Sequence, residues 1–169
     1  MLKSYIKKIS DVTSLGDARE ESYYSSLEGF IKDFTASSGK KNIEITTLPK
    51  KTEAGNPDFR VWDGKQHIVG YIEAKKPTET NLDNIEESEQ LKRYLHTFPN
   101  LILTNFLEFR LYQHGELAGS VQVARPAVLH KLKTAPPVEK EAEFFELLEH
   151  FFSFSTPKLY YANTLAIEL

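Results

Sequence analysis

The chain has no cysteine, which excludes disulfides and cysteine-ligated zinc. Its five histidines, His67, His96, His114, His130 and His150, form no i, i+4 pair, so the usual spacing of a histidine metal site is missing. There is no glycine-rich phosphate loop. Ser22, Ser25 and Ser26 have no base near them in sequence, which argues against a serine hydrolase. No run approaches the ~18 apolar residues of a membrane span. The start, Met-Leu-Lys-Ser-Tyr-Ile-Lys-Lys, lacks the long apolar stretch of a secretory signal, so the expectation is a cytoplasmic protein without membrane contact. Positive charge is not in excess either. A net charge of −3 argues against a strong free-standing nucleic-acid binder, because phosphate contact supplies most non-specific affinity. An acidic domain can still act on nucleic acid if another domain or subunit grips it. Internal repeats and low-complexity tracts are absent. What remains is 169 residues, 40% hydrophobic and 27% charged, enough for one globular domain with its own core.

The informative stretch is NPDFRVWDGKQHIVGYIEAKKP, from Asn56 to Pro77. Phe59, Val61, Ile68, Val69, Tyr71 and Ile72 are β-formers, and Asp63-Gly64 is a strong turn dipeptide. Side chains alternate faces along a strand, so Glu73 and Lys75 share a face and Ala74 points to the other. An even-numbered loop pairs even residues with odd ones and puts Asp58 on the face of Glu73 and Lys75. A loop from Asp63 to Gln66 pairs Asp58 with Tyr71 and makes Glu73 a diagonal neighbour, with β-carbons roughly 7–8 Å apart. Two carboxylates at that spacing reach one cation between them. Two acids and a lysine on one strand-pair face suit phosphodiester hydrolysis. Hard oxygen ligands hold Mg²⁺, which accepts substrate phosphate and activates water, and a lysine orients that water or offsets developing charge.

Around this hairpin the pattern alternates between helix and strand. Leu2, Tyr5, Ile6 and Ile9 have helical spacing, and Asp11 to Gly16 reads as a connection. Asp17 is a plausible N-cap with Glu20 as its capping-box partner. The helix that follows runs to about Thr35, with Leu27, Phe30, Ile31 and Phe34 as its buried stripe and Tyr23 or Tyr24 extending it. Ile43 and Ile45 mark a first strand. After the hairpin, one helix is expected from Thr80 or Asn81 to Phe98, stopped by Pro99-Asn100. Leu101 to Thr104 and Phe106 to Gln113 read as strands, Val121 to Val123 as a short one, and Ala124 to Pro137 as irregular. Glu139 to Phe154 is a last helix. The expected fold class is α/β, a mixed central β-sheet flanked by helices. Residues 1–155 form the domain. Residues 156–169 form a C-terminal tail, apolar from Leu159 onward, expected either to begin a linker to a missing domain or to pack as a terminal helix.

Pro57-Asp58 followed by Glu73-Ala74-Lys75 resembles the signature of the PD-(D/E)XK nuclease superfamily. The resemblance extends over about Asp17 to His114. It is similar in particular to nuclease domains at the N-terminus of single-chain restriction-modification proteins that continue into an adenine-specific DNA methyltransferase. Arg19-Glu20-Glu21-Ser22-Tyr23 before Leu27, Glu89-Gln90, Arg93-Tyr94, Thr104-Asn105 and Phe109-Arg110-Leu111-Tyr112 carry that likeness. It implies a restriction-endonuclease-like core acting as a Mg²⁺-dependent endonuclease on double-stranded DNA, with Mn²⁺ a possible substitute. Methyltransferase and target-recognition domains or subunits would supply sequence recognition. It further implies that Asp58, Glu73 and the carbonyl of Ala74 bind metal and that Lys75 assists the attacking water. By the same resemblance Glu20 (with Glu21 as fallback) would lie near the metal, and Gln90 would reach toward the site. Glu20 thus has two competing roles, cap and site acid. Lys50, Lys51, Lys75, Lys76, Lys92 and Arg93 are candidates for a basic rim, and Trp62 for a core or hairpin-face residue or a base contact. The alternative to an enzyme is a catalytically idle nuclease-like module that binds DNA or a partner.

Overall fold

The computed structural model describes residues 1–155; the expected tail, 156–169, lies outside the described residues. Leu2, Tyr5, Ile6 and Ile9 form one buried stripe, and the helix they define, α1, continues past them through Leu2–Ser14. The expected Asp17–Glu20 capping box does not form. A 3₁₀ turn, Glu20–Tyr23, precedes α2, Tyr24–Ser37, and Ser22 rather than Glu20 closes back on the chain, its Oγ accepting from Arg19 N at 3.0 Å. The carboxylate of Glu20 is left free to turn inward. α2 buries Leu27, Phe30, Ile31 and Phe34, together with Tyr24.

Six strands follow in one sheet whose spatial order equals their chain order: β1 Glu44–Thr47, β2 Phe59–Trp62, β3 Ile68–Ala74, β4 Asn100–Thr104, β5 Glu108–Gln113 and β6 Glu116–Gln122. Only β3 and β4 run parallel; the other neighbours are antiparallel. The parallel step needs a crossover, and the segment between Pro77 and Pro99 supplies it. It is two helices rather than the single one expected: α3, Leu82–Glu86, capped by Asn81, and α4, Glu89–Thr97, capped by Ser88. Ser88 Oγ accepts from Leu91 N at 3.2 Å, and that cap restarts the helix. The segment expected to be irregular contains a short helix, α5, Pro126–His130, opened by proline at its first position. α6 covers Glu141–Phe152.

Helices lie on both faces of the sheet. One core packs α1, α2, α5 and α6 against Phe59, Val61, Ile72, Ala74, Ile102, Phe109 and Leu111. The other packs Leu82, Leu91, Tyr94 and Phe98 against Tyr71, Leu101, Leu103 and Tyr112. Alternation along each strand sends consecutive side chains to opposite cores, so β3 gives Ile72 and Ala74 to the first and Tyr71 to the second. Among the described residues no helix is long and apolar enough to cross a membrane.

Candidate active site

The hairpin β2–β3 differs in register from the expectation. Trp62 pairs with Ile68, which leaves a five-residue loop, and a bulge then shifts the ladder so that Val61 pairs with Gly70, Arg60 with Tyr71 and Phe59 with Ile72. An odd loop alone would have placed even residues opposite even ones. The bulge adds one residue and restores the even–odd parity. One step beyond Phe59–Ile72, Asp58 therefore stands level with Glu73, nearer than the expected diagonal position. The turn itself is tied by Asp63, whose Oδ1 accepts from Lys65 N at 2.6 Å and His67 N at 3.1 Å. Gly64 has φ +81°, and a β-carbon there would fall 2.3 Å from the carbonyl oxygen of Asn42.

The loop that delivers Asp58 is anchored on α4. Arg93 Nε donates to the Ala54 carbonyl at 3.3 Å. Gly55 has φ +131° and lies so close to the Tyr94 ring that a β-carbon would come within 3.3 Å of it. Leu48 N donates to the carbonyl of Asp58 at 2.7 Å and extends the β1–β2 ladder to the acid.

Asp58 is buried, yet both its oxygens are held. Oδ1 accepts from the Tyr24 hydroxyl at 2.6 Å and Oδ2 from Ala74 N at 2.7 Å. Glu73 is only 3% exposed. Its Oε2 meets Lys75 Nζ at 3.3 Å, whereas its buried Oε1 has no hydrogen-bond partner. Burial, and next the charge of Asp58, push the Glu73 carboxyl up to about 8, against a smaller opposing pull from Lys75. Two things satisfy Oε1: a proton, which lets it donate to Asp58, or a cation shared by the two carboxylates.

Further polar side chains surround this pair. Glu20 Oε1 lies 3.2 Å from the Tyr24 hydroxyl. A phenol has one proton to give, and the shorter contact to Asp58 takes it. The Glu20 carboxyl is raised by burial and then by the charge of Asp58, against a smaller opposing pull from Lys75. Tyr24 is itself raised well beyond the ordinary phenol range, by burial and then by its bond to Asp58, and remains a donor. On the other side Gln90 Oε1 receives Lys75 Nζ at 3.5 Å, and Gln90 Nε2 donates to the Tyr94 hydroxyl at 3.3 Å.

The structure thus brings Asp58, Glu73, Ala74 and Lys75 together, with Gln90 touching Lys75 and Glu20 joined through Tyr24. Glu21 is exposed. Tyr24 and Tyr94 join the site although the sequence placed Tyr24 only on an apolar stripe and Tyr94 in the Arg93-Tyr94 pair of the resemblance. The signal was there in the i, i+4 spacing of Glu20 with Tyr24 and of Gln90 with Tyr94, which puts each hydroxyl beside a site side chain. Lys50, Lys51, Lys76, Lys92 and Arg93 are exposed, although Lys92 lies 3.8 Å from Glu87. Trp62 is half-buried on the hairpin face.

Among the described residues no group of three or more histidine, aspartate or glutamate side chains gathers into a cation cage. The donor set still fits a Mg²⁺ that keeps most of its waters. Such an ion needs only one or two carboxylates plus substrate phosphate, and the orphaned Oε1 of Glu73 beside Asp58 is the observation that fits it.

No protein-family model and no curated protein sequence matches the chain. A solved structure does. The cryoEM structure of a DrdV–DNA complex is similar with a TM-score of 0.65 and 25% sequence identity, over 92% of this chain and 14% of that one. With the mixed six-stranded sheet and the helices on its two faces, the likeness defines a nuclease-like fold, an α/β restriction-endonuclease-like core. The chain spans only that small share of the larger protein's length.

Proposed function

We propose that this chain is a Mg²⁺-dependent endonuclease domain that hydrolyses phosphodiester bonds in DNA. The observation that carries the reading is the buried pair Asp58 and Glu73, with one carboxylate oxygen unpartnered and Lys75 alongside. A structural role would favour a satisfied pair or an apolar one. The likeness to a protein in complex with DNA supports DNA as the substrate. Asp58, Glu73 and the Ala74 carbonyl would hold the metal, with Mn²⁺ a possible substitute. Bound there, the metal polarises the phosphate and lowers the pKa of a water. Tyr24 and the Ala74 N–H fix the rotamer of Asp58. Lys75, steadied by Gln90, directs the attacking water and offsets charge on the phosphate. Glu20, reached through Tyr24, supports the same edge.

The resemblance to nuclease domains of restriction-modification proteins extends the reading. Sequence recognition would then come from methyltransferase and target-recognition parts in a cytoplasmic assembly, which suits a domain of net charge −3. A second reading, a catalytically idle module that binds DNA, is favoured by one observation, the lack of a third carboxylate in the cluster among the described residues.

Calorimetric titration of Mg²⁺ or Mn²⁺ into the wild type, Asp58→Ala and Glu73→Ala separates the two. Binding by the wild type that both variants lose supports the nuclease. The same titration with a short duplex present tests a site completed by phosphate, and plasmid nicking then reads out hydrolysis. Metal binding absent with and without duplex would leave the idle module.

A further inference from the structure

We propose that Arg60 is a phosphate contact for a DNA strand that crosses the open face of β1–β2 and enters the carboxylate pair, holding the phosphate next to the one at Asp58 and Glu73. The inference rests on the nuclease reading above. Arg60 lies two residues from Asp58 on the same face of β2, about 6.6 Å along the strand. α4 covers this face over Tyr71, Leu101 and Leu103. Beyond it, Arg60 and Trp62 on β2 are half-buried and Thr46 on β1 is exposed.

The guanidinium is held before any ligand arrives. Its centre lies 5.6 Å from the Trp62 ring and 5.4 Å from the Tyr71 ring, within the range of cation–π attraction. Nε donates to the Tyr71 hydroxyl at 3.2 Å, and a terminal nitrogen donates to the Lys50 carbonyl at 3.3 Å. Tyr71 in turn stacks on Phe98 of α4 with centroids 4.0 Å apart, and Trp62 Nε1 donates to Thr46 Oγ1 at 3.0 Å. Arginine carries five N–H donors, so these two bonds leave most of the fork free.

The charge around it is uneven. Arg110 is paired with Asp83, Glu86 and Glu108, and Arg125 with Glu139. Among the described residues Arg60 has no carboxylate partner. Lys50 and Lys51 stand exposed just beyond it, and Glu44, level with Trp62 on β1, bounds the track on its far side. A planar cation pinned between aromatic rings, with free donors and no acid, is built for a phosphate oxygen. The carboxylate pair repels DNA until a cation is bound, and a fixed positive group one step away counters that repulsion.

Trp62 is the only tryptophan in the chain, so its emission reports this surface directly. The test titrates the chain with a short fluorescein-labelled DNA duplex in EDTA, so that nothing depends on a metal. Anisotropy gives affinity across a salt series, and an unlabelled duplex is followed through Trp62. The expected result is a saturable change in Trp62 emission. Arg60→Met should weaken binding roughly 3- to 10-fold and flatten the log–log salt dependence by about one, the loss of one phosphate contact. Arg60→Lys should keep the slope with intermediate affinity. Arg125→Met, the same charge removed elsewhere, should change neither. Three outcomes overturn the inference: Trp62 emission that does not respond up to millimolar duplex, a wild-type salt slope in a folded Arg60→Met, or an equal loss in Arg125→Met. The nuclease reading stands or falls separately, on the Mg²⁺ calorimetry. An Arg60-dependent slope in a protein that binds no metal would sink that reading and leave the strand track in place.

Discussion

Replacing Glu73 with glutamine should stabilise the metal-free protein and remove its response to Mg²⁺. Glu73 is 3% exposed, one of its oxygens has no donor, and Asp58 stands beside it. Its carboxyl is raised from the ordinary 4.5 to about 8. The sign follows from which state holds the proton. Below pH 4.5 both folded and unfolded chains are protonated and the group costs nothing. Between 4.5 and about 8 the unfolded chain has released the proton and the folded chain retains it, so folding stability falls as pH rises through that window. Above it the full penalty applies. At about 1.4 kcal/mol per pH unit of displacement, that penalty is on the order of 3–5 kcal/mol, to be set against a typical total of about 5–15 kcal/mol.

Glutamine has nearly the same shape, carries no charge and offers Asp58 an amide donor. Thermal unfolding in EDTA should therefore show wild type and Glu73→Gln close together near pH 5. By pH 8 to 9 the variant should melt higher by on the order of 10 °C. Added Mg²⁺ should raise the wild-type melting temperature at pH 8 by mass action and leave the variant unchanged. A variant less stable than wild type at every pH, with both shifted equally by Mg²⁺, would refute the reasoning. It would mean that Glu73 is a satisfied structural group.

Other substitutions probe the neighbours of that pair. Tyr24→Phe deletes the 2.6 Å bond to Asp58 and should cost about 2 kcal/mol, as for a buried hydrogen bond to a charged group; unchanged denaturant midpoints would show the bond to be worth nothing. Lys75→Met removes the cation that pulls the Glu73 carboxyl down. The pH midpoint for Mg²⁺ binding should therefore move upward, and plasmid nicking at saturating metal should fall at least ~10²-fold; a downward or absent pH shift would contradict the arrangement. Leu48 is 60% exposed and sits at φ 52° beside the site. Leu48→Asn should raise stability by up to about 1 kcal/mol, because asparagine tolerates the left-handed region; a lower melting temperature would indicate that the leucine packs on something.

The fold was legible where the chain's own periodicity decides it. Ile72 and Ala74 against Tyr71 and Glu73 is a period-2 pattern, and it gave the shared face of Asp58, Glu73 and Lys75 whatever the loop length, provided the parity held. The register was not legible, because it depends on a bulge beside Val61 that no local residue announces. The single helix expected after Pro77 broke in two because Ser88 is as good a cap as Asn81, and sequence alone does not weigh a cap against a continuing apolar face. Glu20 shows the same limit. Its spacing from Asp17 fits a capping box, and only the 3₁₀ turn at Glu20–Tyr23 shows that the carboxylate is spent on Tyr24 instead. The bonds of Tyr24 to Asp58 and of Arg60 to Tyr71 were hidden for a different reason: the partners lie 34 and 11 residues apart, and contacts of that kind exist only after the sheet has formed.

What separates the candidate site from ordinary buried polarity is how well this protein satisfies such groups elsewhere. Asn100 is fully buried, yet its amide donates to the carbonyls of Val69 and Phe151 and its oxygen accepts from Gln113. Asn105 donates to Glu79 and accepts from Leu107 and Glu108. Thr104 donates to the carbonyl of Glu108 and accepts from Phe106 N. Among the described residues the single buried side-chain polar atom without a partner is Oε1 of Glu73. Loose packing would scatter such failures through both cores. A lone failure on an acid that faces a second acid, beside a lysine and at the end of the strand pair, is the form expected of a group whose partner is an exchangeable ion. The same contrast holds for charge, where Arg110 collects three carboxylates while Arg60, two residues from Asp58, collects none among the described residues. An unpaired acid oxygen and an unpaired guanidinium on one sheet face are complementary to a metal ion and a phosphate, respectively, and under the proposed function a single DNA strand would supply phosphate to both.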